Sequence, residues 1–232
     1  MARPAGLRKN GSDASGHPRA YPLRVFLLLS FTIPGMQTNP ESHSAAICPD
    51  GSRKMKSGNL ILVGMMGSGK TTMGKALAKH LGKSFVDSDE EITKRTGVTV
   101  PHIFDIEGEA GFRLRETSAI RDLVCSDNMV MATGGGSVLA EENREMLKRN
   151  GIVIYLKASV HDLWQRTRHD RNRPLLQTQD PHAKLTELFQ QRDPLYQQVS
   201  DIVVQSGKQS VNVLMLHLME KIAAFSNSHH ES

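Results

Sequence analysis

From residue 55 onward, short uninterrupted apolar runs alternate with longer stretches whose apolar residues recur three or four positions apart. A short apolar run bounded by turn residues fits a strand buried on both faces, and the wider spacing fits a helix with one buried stripe. The runs are LILVG (60–64), SFVD (84–87), MVMA (129–132), IVIYL (152–156) and DIVV (201–204), and they predict five strands. Helices are predicted near 70–82, 89–96, 108–125, 141–150, 159–168, 183–192 and 210–224. Alternation of this kind is the sequence form of βαβ units, in which parallel strands lie side by side and helices cover both faces. The expected fold is α/β, with three layers around a five-stranded parallel sheet. One charged, aperiodic stretch, RHDRNRPLLQTQDP (168–181), is too long for a simple connection, and a loop of that length is more often functional or mobile than structural.

Length and charge narrow the class. A chain of 232 residues suits one well-cored domain and hardly two. Its formal charge of +5 is concentrated at the start: residues 1–54 hold 7 Lys/Arg and 3 Asp/Glu, which leaves 22 and 21 for residues 55–232. A near-neutral body argues against nucleic acid as the partner, because binding a phosphate backbone needs concentrated positive charge. Cys48 and Cys125 stand too far apart for a paired metal motif or a disulfide framework, which favours a reducing, cytoplasmic setting. The longest apolar run, VFLLLSFTI (25–33), is too short to span a bilayer, so no membrane partner is expected.

Residues 1–54 are rich in Pro, Gly, Ser and Arg without periodicity, and are expected to be a disordered or non-native leader to a domain over 55–226. Three readings of it stand side by side. A basic start followed by an apolar run has the form of a secretory signal. The Arg and Ser bias is that of a transit peptide, which would move the location to a plastid. Met55, opening MKSGNLILVG, is also a natural start for the domain.

The strongest chemical signal is GMMGSGKT (64–71), which matches G-x-x-x-x-G-K-[ST] between an apolar strand and an amphipathic helix. Gly64, Gly67 and Gly69 allow backbone conformations in which successive N–H groups point at phosphate oxygens, and the helix start adds partial positive charge. Gly67, Ser68 and Gly69 would line ATP, Lys70 would reach its β and γ phosphates, Thr71 would hold Mg2+, and Thr72 would approach the α phosphate. No N-K-x-D guanine signature follows, and the strand MVMA leads into TGGGSV instead of the aspartate many ATPases carry there. Asp87, ending the second strand, then becomes the candidate for the Mg2+ shell.

Other signals are two-sided. In FVDSDEEI (85–92), Ser88 and Glu91 have capping-box spacing and Glu90 suits a first helical turn, which accounts for these three residues but not for both Asp87 and Asp89. In EGEAGFRLRE (107–116), Glu109, Arg113 and Glu116 share one helix face, either as a solvated ion-pair ladder or with Arg113 offering its fork to a carboxylate. Gly134, Gly135 and Gly136 are either a turn or a place of close backbone approach to a ligand.

Taken in order, the phosphate loop, D-S-D, G-E-x-x-F-R, G-G-G, R-P-L-L and RDPLY closely resemble shikimate kinase of the bacterial type, over about Leu60 to Ile222. The resemblance implies a P-loop kinase fold and ATP-dependent phosphorylation of the 3-hydroxyl of shikimate, a step toward chorismate and the aromatic amino acids; a monomer is expected, though no sequence feature speaks for it. It implies that Arg113 and Arg192 clamp the shikimate carboxylate, that Asp89 holds ring hydroxyls beside the attacking oxygen, and that Gly134, Gly135 and Gly136 complete the pocket. It further implies that the stretch over about 168–182 is a mobile lid from which Arg173 neutralises the transferring phosphoryl group, while Arg166 and Gln209 lie beside adenine. Catalysis is thereby expected from Lys70, Asp89 and Arg173. A kinase for another small hydroxy acid such as gluconate, or a nucleotide-binding module without transfer, are the competing readings.

Overall fold

The computed structural model describes residues 58–170 and 173–230. The predicted leader lies outside the described residues. The five predicted strands form, as β1 (Leu60–Val63), β2 (Ser84–Asp87), β3 (Met129–Ala132), β4 (Ile152–Lys157) and β5 (Ile202–Gln205). All pairings are parallel, in the order β2-β3-β1-β4-β5. β1 is buried along its whole length, which is why its sequence shows no alternation.

Among the described residues there are seven α-helices: α1 (Lys70–Leu81), α2 (Ser88–Thr96), α3 (Val100–Leu123), α4 (Glu141–Asn150), α5 (Val160–Thr167), α6 (Pro181–Val199) and α7 (Val211–His230). Side chains of β1 divide by parity. Ile61 and Val63 pack with Ile120, Leu147, Leu163 and Leu188 on the α3 to α6 side. Leu60 and Leu62 pack with Met73, Leu77, Leu214 and Leu218 on the side of α1 and α7. A small separate cluster, Ile92, Ile103, Phe112 and Ala119, joins α2 to α3. No helix among the described residues is long and apolar enough to cross a membrane.

Three elements differ from the prediction. The helix expected from 108 begins at Val100, and Gly108 (φ 69, ψ −176) breaks it into two arms. A change of direction scrambles the apolar stripe, so helical periodicity does not run through the break. α6 continues past Arg192 and through Pro194 to Val199, because Leu185, Leu188, Tyr196 and Val199 keep one buried stripe despite the proline. α7 reaches His230, beyond the expected limit at 226. Within the expected lid the structure shows a 3-10 turn at Pro174–Leu176, while residues 171–172 lie outside the described residues.

The strand order is what builds a site. β3 lies between β1 and β2, with Leu62 and Asp87 each opposite Ala132 in their respective ladders. The phosphate loop after β1, the glycine triplet after β3 and the D-S-D turn after β2 are thereby brought to three adjacent strand ends. That is the carboxyl edge where open parallel sheets bind ligands.

Candidate active site

The loop after β1 turns through Gly67 (φ 78) and Gly69 (φ 95), left-handed conformations that favour glycine, and Gly69 is the N-cap of α1. Lys70 Nζ folds back over the loop, donating to the Gly64 carbonyl at 2.8 Å and the Met65 carbonyl at 2.9 Å. Burial lowers its pKa to about 8, against the opposing pull of Asp89. A lysine so held is short of anionic partners, as expected of one that meets phosphate. Ser68 is buried, and its carbonyl accepts from Ser206 Oγ at 2.8 Å. Arg166 reaches the Gly67 carbonyl at 3.1 Å and the Ser206 and Gly207 carbonyls at 3.1 and 2.6 Å, joining the phosphate loop to the turn after β5.

Asp87 carries more than the prediction gave it. Its Oδ2 accepts from Thr71 Oγ1 at 2.8 Å, and its Oδ1 accepts from the Asp89 N–H at 3.0 Å and the Glu90 N–H at 3.5 Å. Asp87 is therefore the N-cap of α2, and the capping box expected from Ser88 and Glu91 does not form. Ser88 is instead buried at the first helical position, with its Oγ accepting from the Gly134 N–H at 2.9 Å. The Thr71 hydroxyl spends its proton on Asp87, which leaves its lone pairs facing outward. Two hard oxygen donors at the end of a phosphate loop suit Mg2+, which keeps several waters and needs few protein ligands.

On the acceptor side, Arg113 is clasped on its own helix. Its Nε and one terminal nitrogen donate to Glu109 Oε1 at 3.2 and 2.8 Å, and the other donates to Glu116 Oε2 at 2.7 Å. The predicted ion-pair ladder is real, but it is not solvated throughout, since Glu116 is completely buried. Burial pushes the Glu116 carboxyl up to about 6, against the opposing charge of Arg113. The glycine triplet packs against these groups with no room to spare. A Cβ on Gly136 would lie 2.2 Å from an Arg113 nitrogen, and one on Gly134 would lie 2.5 Å from Glu116 Oε1 and 2.6 Å from Asp89 Oδ1. Gly135 presents its carbonyl to Arg192, 3.1 Å away, and to the Tyr196 hydroxyl.

Three buried polar atoms in this region have no hydrogen-bond partner: Asp89 Oδ1, Glu116 Oε1 and Arg192 Nε. Buried polar groups are nearly always paired, so orphans gathered beside Gly134 and Gly135 point to a ligand that pairs them. Their chemistry calls for hydroxyl donors toward the two carboxyls and an anion toward the guanidinium. Burial raises the Asp89 pKa, and the nearby Asp87 charge adds to it, while Lys70, Arg173 and Arg113 oppose. Burial lowers that of Arg192, with the Arg113 charge contributing.

Most of the predicted nucleotide-side residues converge on one cleft of about 340 Å³. Gly67, Gly69, Lys70, Thr71 and Thr72 line it together with Asp87, Asp89, Gly135, Thr133 and Met66. Arg166 and Arg173 complete the lining. Arg173 Nε is ion-paired with Asp170 at 2.9 Å. Gln209 is not brought to the cleft wall; it is exposed and donates to the Gln205 carbonyl at 2.8 Å. Sequence reasoning passed over Ser88, Glu116, Thr133 and Tyr196 as site residues. Glu116 had a usable signal, three positions after Arg113 on the same face, whereas the Ser88 contact to Gly134 spans 46 positions and had none.

Comparison with known proteins places this geometry among relatives. The family profile described as Shikimate kinase matches residues 66–223. A shikimate kinase of Nitrosospira multiformis is 58% identical over 171 residues, covering 74% of this chain and 88% of that one. A shikimate kinase of Thiobacillus denitrificans is 59% identical over 156 residues, covering 67% and 85%. The structure of shikimate kinase from Acinetobacter baumannii in complex with shikimate superposes with a TM-score of 0.71 at 45% identity, over 72% of this chain and 94% of that one.

Proposed function

The chain belongs to the shikimate kinase family, and from that premise we propose how its site performs the reaction. It transfers the γ-phosphoryl group of ATP to a hydroxyl of shikimate, the 3-hydroxyl in this reading. The observation that carries the site assignment is the trio of unpartnered buried atoms, Asp89 Oδ1, Glu116 Oε1 and Arg192 Nε. Shikimate, with one carboxylate and three hydroxyls on a small ring, supplies an acceptor for the guanidinium and donors for the carboxyls. Gluconate, being flexible, would lose more conformational freedom on fitting the same rigid trio.

Arg113 and Arg192 take the substrate carboxylate through paired, charge-assisted hydrogen bonds. Asp89 accepts from the attacking hydroxyl and receives its proton as the phosphorus–oxygen bond forms; its raised pKa suits that role. Lys70 leaves the loop carbonyls for the β and γ phosphates, and Arg173 approaches the transferring group from the lid, so that charge on the equatorial oxygens meets fixed positive charge. Arg166 borders the adenine, and Gly67, Ser68, Gly69, Thr71 and Thr72 cradle the phosphates. Gln209 would join them only if its turn moved toward the base. Mg2+ would be held by Thr71 and, through water, by Asp87, and when bound it supplies neutralisation between the β and γ phosphates. The near-neutral body supports a small-molecule partner over nucleic acid, and a monomer acting in the cytoplasm is part of the same proposal.

The test is ADP release with Mg-ATP and shikimate, set beside gluconate and no acceptor. Shikimate-dependent turnover is expected, with product phosphorylated at the 3-position by NMR. Equal ATP consumption without acceptor would refute the transfer reading.

A further inference from the structure

The RDPLY segment gives the site Arg192, and the rest of the motif points behind it. Pro194 stands inside α6 two residues after Arg192. A proline in a helix interior supplies no N–H and crowds the carbonyl four residues earlier, so the ladder alone holds the helix loosely just where the arginine leaves it. The Arg192 side chain is held from that same helix and the glycine triplet: one terminal nitrogen donates to the Gly135 carbonyl at 3.1 Å, the Tyr196 hydroxyl accepts from the guanidinium, and Nε has no partner.

Asp193, the next residue, reaches other partners and is saturated. Its Oδ1 accepts from the Tyr155 hydroxyl at 2.7 Å, and its Oδ2 accepts from Gln197 Nε2 at 2.6 Å. Lys157 Nζ lies 2.9 Å from Oδ1 and 3.0 Å from Oδ2. Burial pushes the Asp193 carboxyl up and these donors outweigh it, holding it below the usual carboxylate range. Tyr155 and Lys157 are both on β4, so one carboxylate of α6 is pinned to two positions of a central strand. The contact then continues toward the site. The Tyr155 ring lies 4.9 Å from the Tyr196 ring, both fully buried, and the Tyr196 hydroxyl donates to the same Gly135 carbonyl that receives Arg192.

We propose that Asp193 is a positioning residue for the acceptor: by pinning α6 to Tyr155 and Lys157 it sets where Arg192 and the Gly135 carbonyl stand, and so sets shikimate affinity. This rests on the reading of Arg192 as a ligand of the substrate carboxylate. Asp193 itself touches no substrate; the tyrosines it acts through also border the phosphate loop, Tyr196 at Met65 Sδ (3.7 Å) and Tyr155 beside Gly64, so its effect is larger on the acceptor side without being confined to it.

Three variants of the full chain test it by steady-state kinetics with each substrate varied in turn. Asp193→Asn keeps the size and an acceptor for Tyr155 but loses the charge facing Lys157. It is expected to raise KM for shikimate about tenfold, with KM for ATP and kcat each altered less than about threefold. Tyr155→Phe keeps the ring packing and removes one hydroxyl, and is expected to raise KM for shikimate about threefold with the same selectivity. It gives the answer if Asp193→Asn fails to fold. Arg192→Lys is the control for the underlying reading and must itself raise KM for shikimate. If Arg192→Lys does so while KM for shikimate stays at the parent value in the other two, whatever happens to their melting temperatures, Asp193 only braces the fold and the inference is overturned. A parallel rise of both KM values overturns it as well. No response to Arg192→Lys overturns the carboxylate reading and the inference together.

Discussion

Two aspartates one residue apart differ because one ends a strand and the other begins a helix. Asp87 caps α2 and takes the Thr71 hydroxyl, whereas Asp89 is half-buried, with its Oδ1 enclosed and unpaired beside the glycine triplet. In the proposed mechanism, replacing Asp89 with Asn removes the proton acceptor and leaves the phosphate loop untouched. A loss of kcat of about 100-fold or more is expected, with ATP affinity within about twofold by equilibrium titration. Equal loss of ATP binding would break that division of labour. Lys70 gives a pH-dependent counterpart. With its pKa lowered to about 8 by burial, the empty enzyme loses this charge above pH 8. Bound phosphates favour the ammonium form and raise the pKa, so between the two values ATP binding takes up a proton and weakens as pH rises. KM for ATP should climb above about pH 8, with proton uptake seen by calorimetry in buffers of differing ionisation enthalpy; a flat profile from pH 7 to about 9.5 would contradict it.

At the scale of elements, the break in α3 matters most. Gly108 adopts φ 69, ψ −176, a region open essentially to glycine alone. The chain there turns so that Glu107 lies over Gly111, where a Cβ would be 2.4 Å from that of Glu107, and pairs with Arg115 at 2.6 Å. Arg113 sits on the arm that follows, so its aim depends on the break. Gly108→Ala should cost about 1–3 kcal/mol in urea unfolding and raise KM for shikimate more than KM for ATP. Unchanged stability would mean that the backbone there relaxes. The amphipathic face that carries Glu109, Arg113 and Glu116 was legible in EGEAGFRLRE, but the break was not. Gly108 has the composition of a tolerated helical glycine, and only its φ separates the two.

At the scale of the whole molecule, the two core layers are divided by the sheet, and the site occupies its carboxyl edge alone. Leu218 is fully buried in the layer with α1 and α7 and belongs to an element that contributes nothing to the acceptor pocket. Leu218→Ala is expected to destabilise the fold by about 3 kcal/mol while leaving both KM values at the parent level well below the transition. A shift in either would tie α7 to the site. The same scale separates what each source of information decides. The sequence by itself determined the strands, the α/β class and the phosphate loop, because each is written within a dozen consecutive residues, where backbone geometry and local periodicity act. Tertiary structure alone decided that β3 inserts between β1 and β2, that Ser88 meets Gly134, that Glu116 is buried, and that Gly135 and Arg192 meet across 57 positions. Strand neighbours and cross-helix contacts are chosen by how separate elements cover one another's apolar faces, and that choice leaves no periodic trace along the chain.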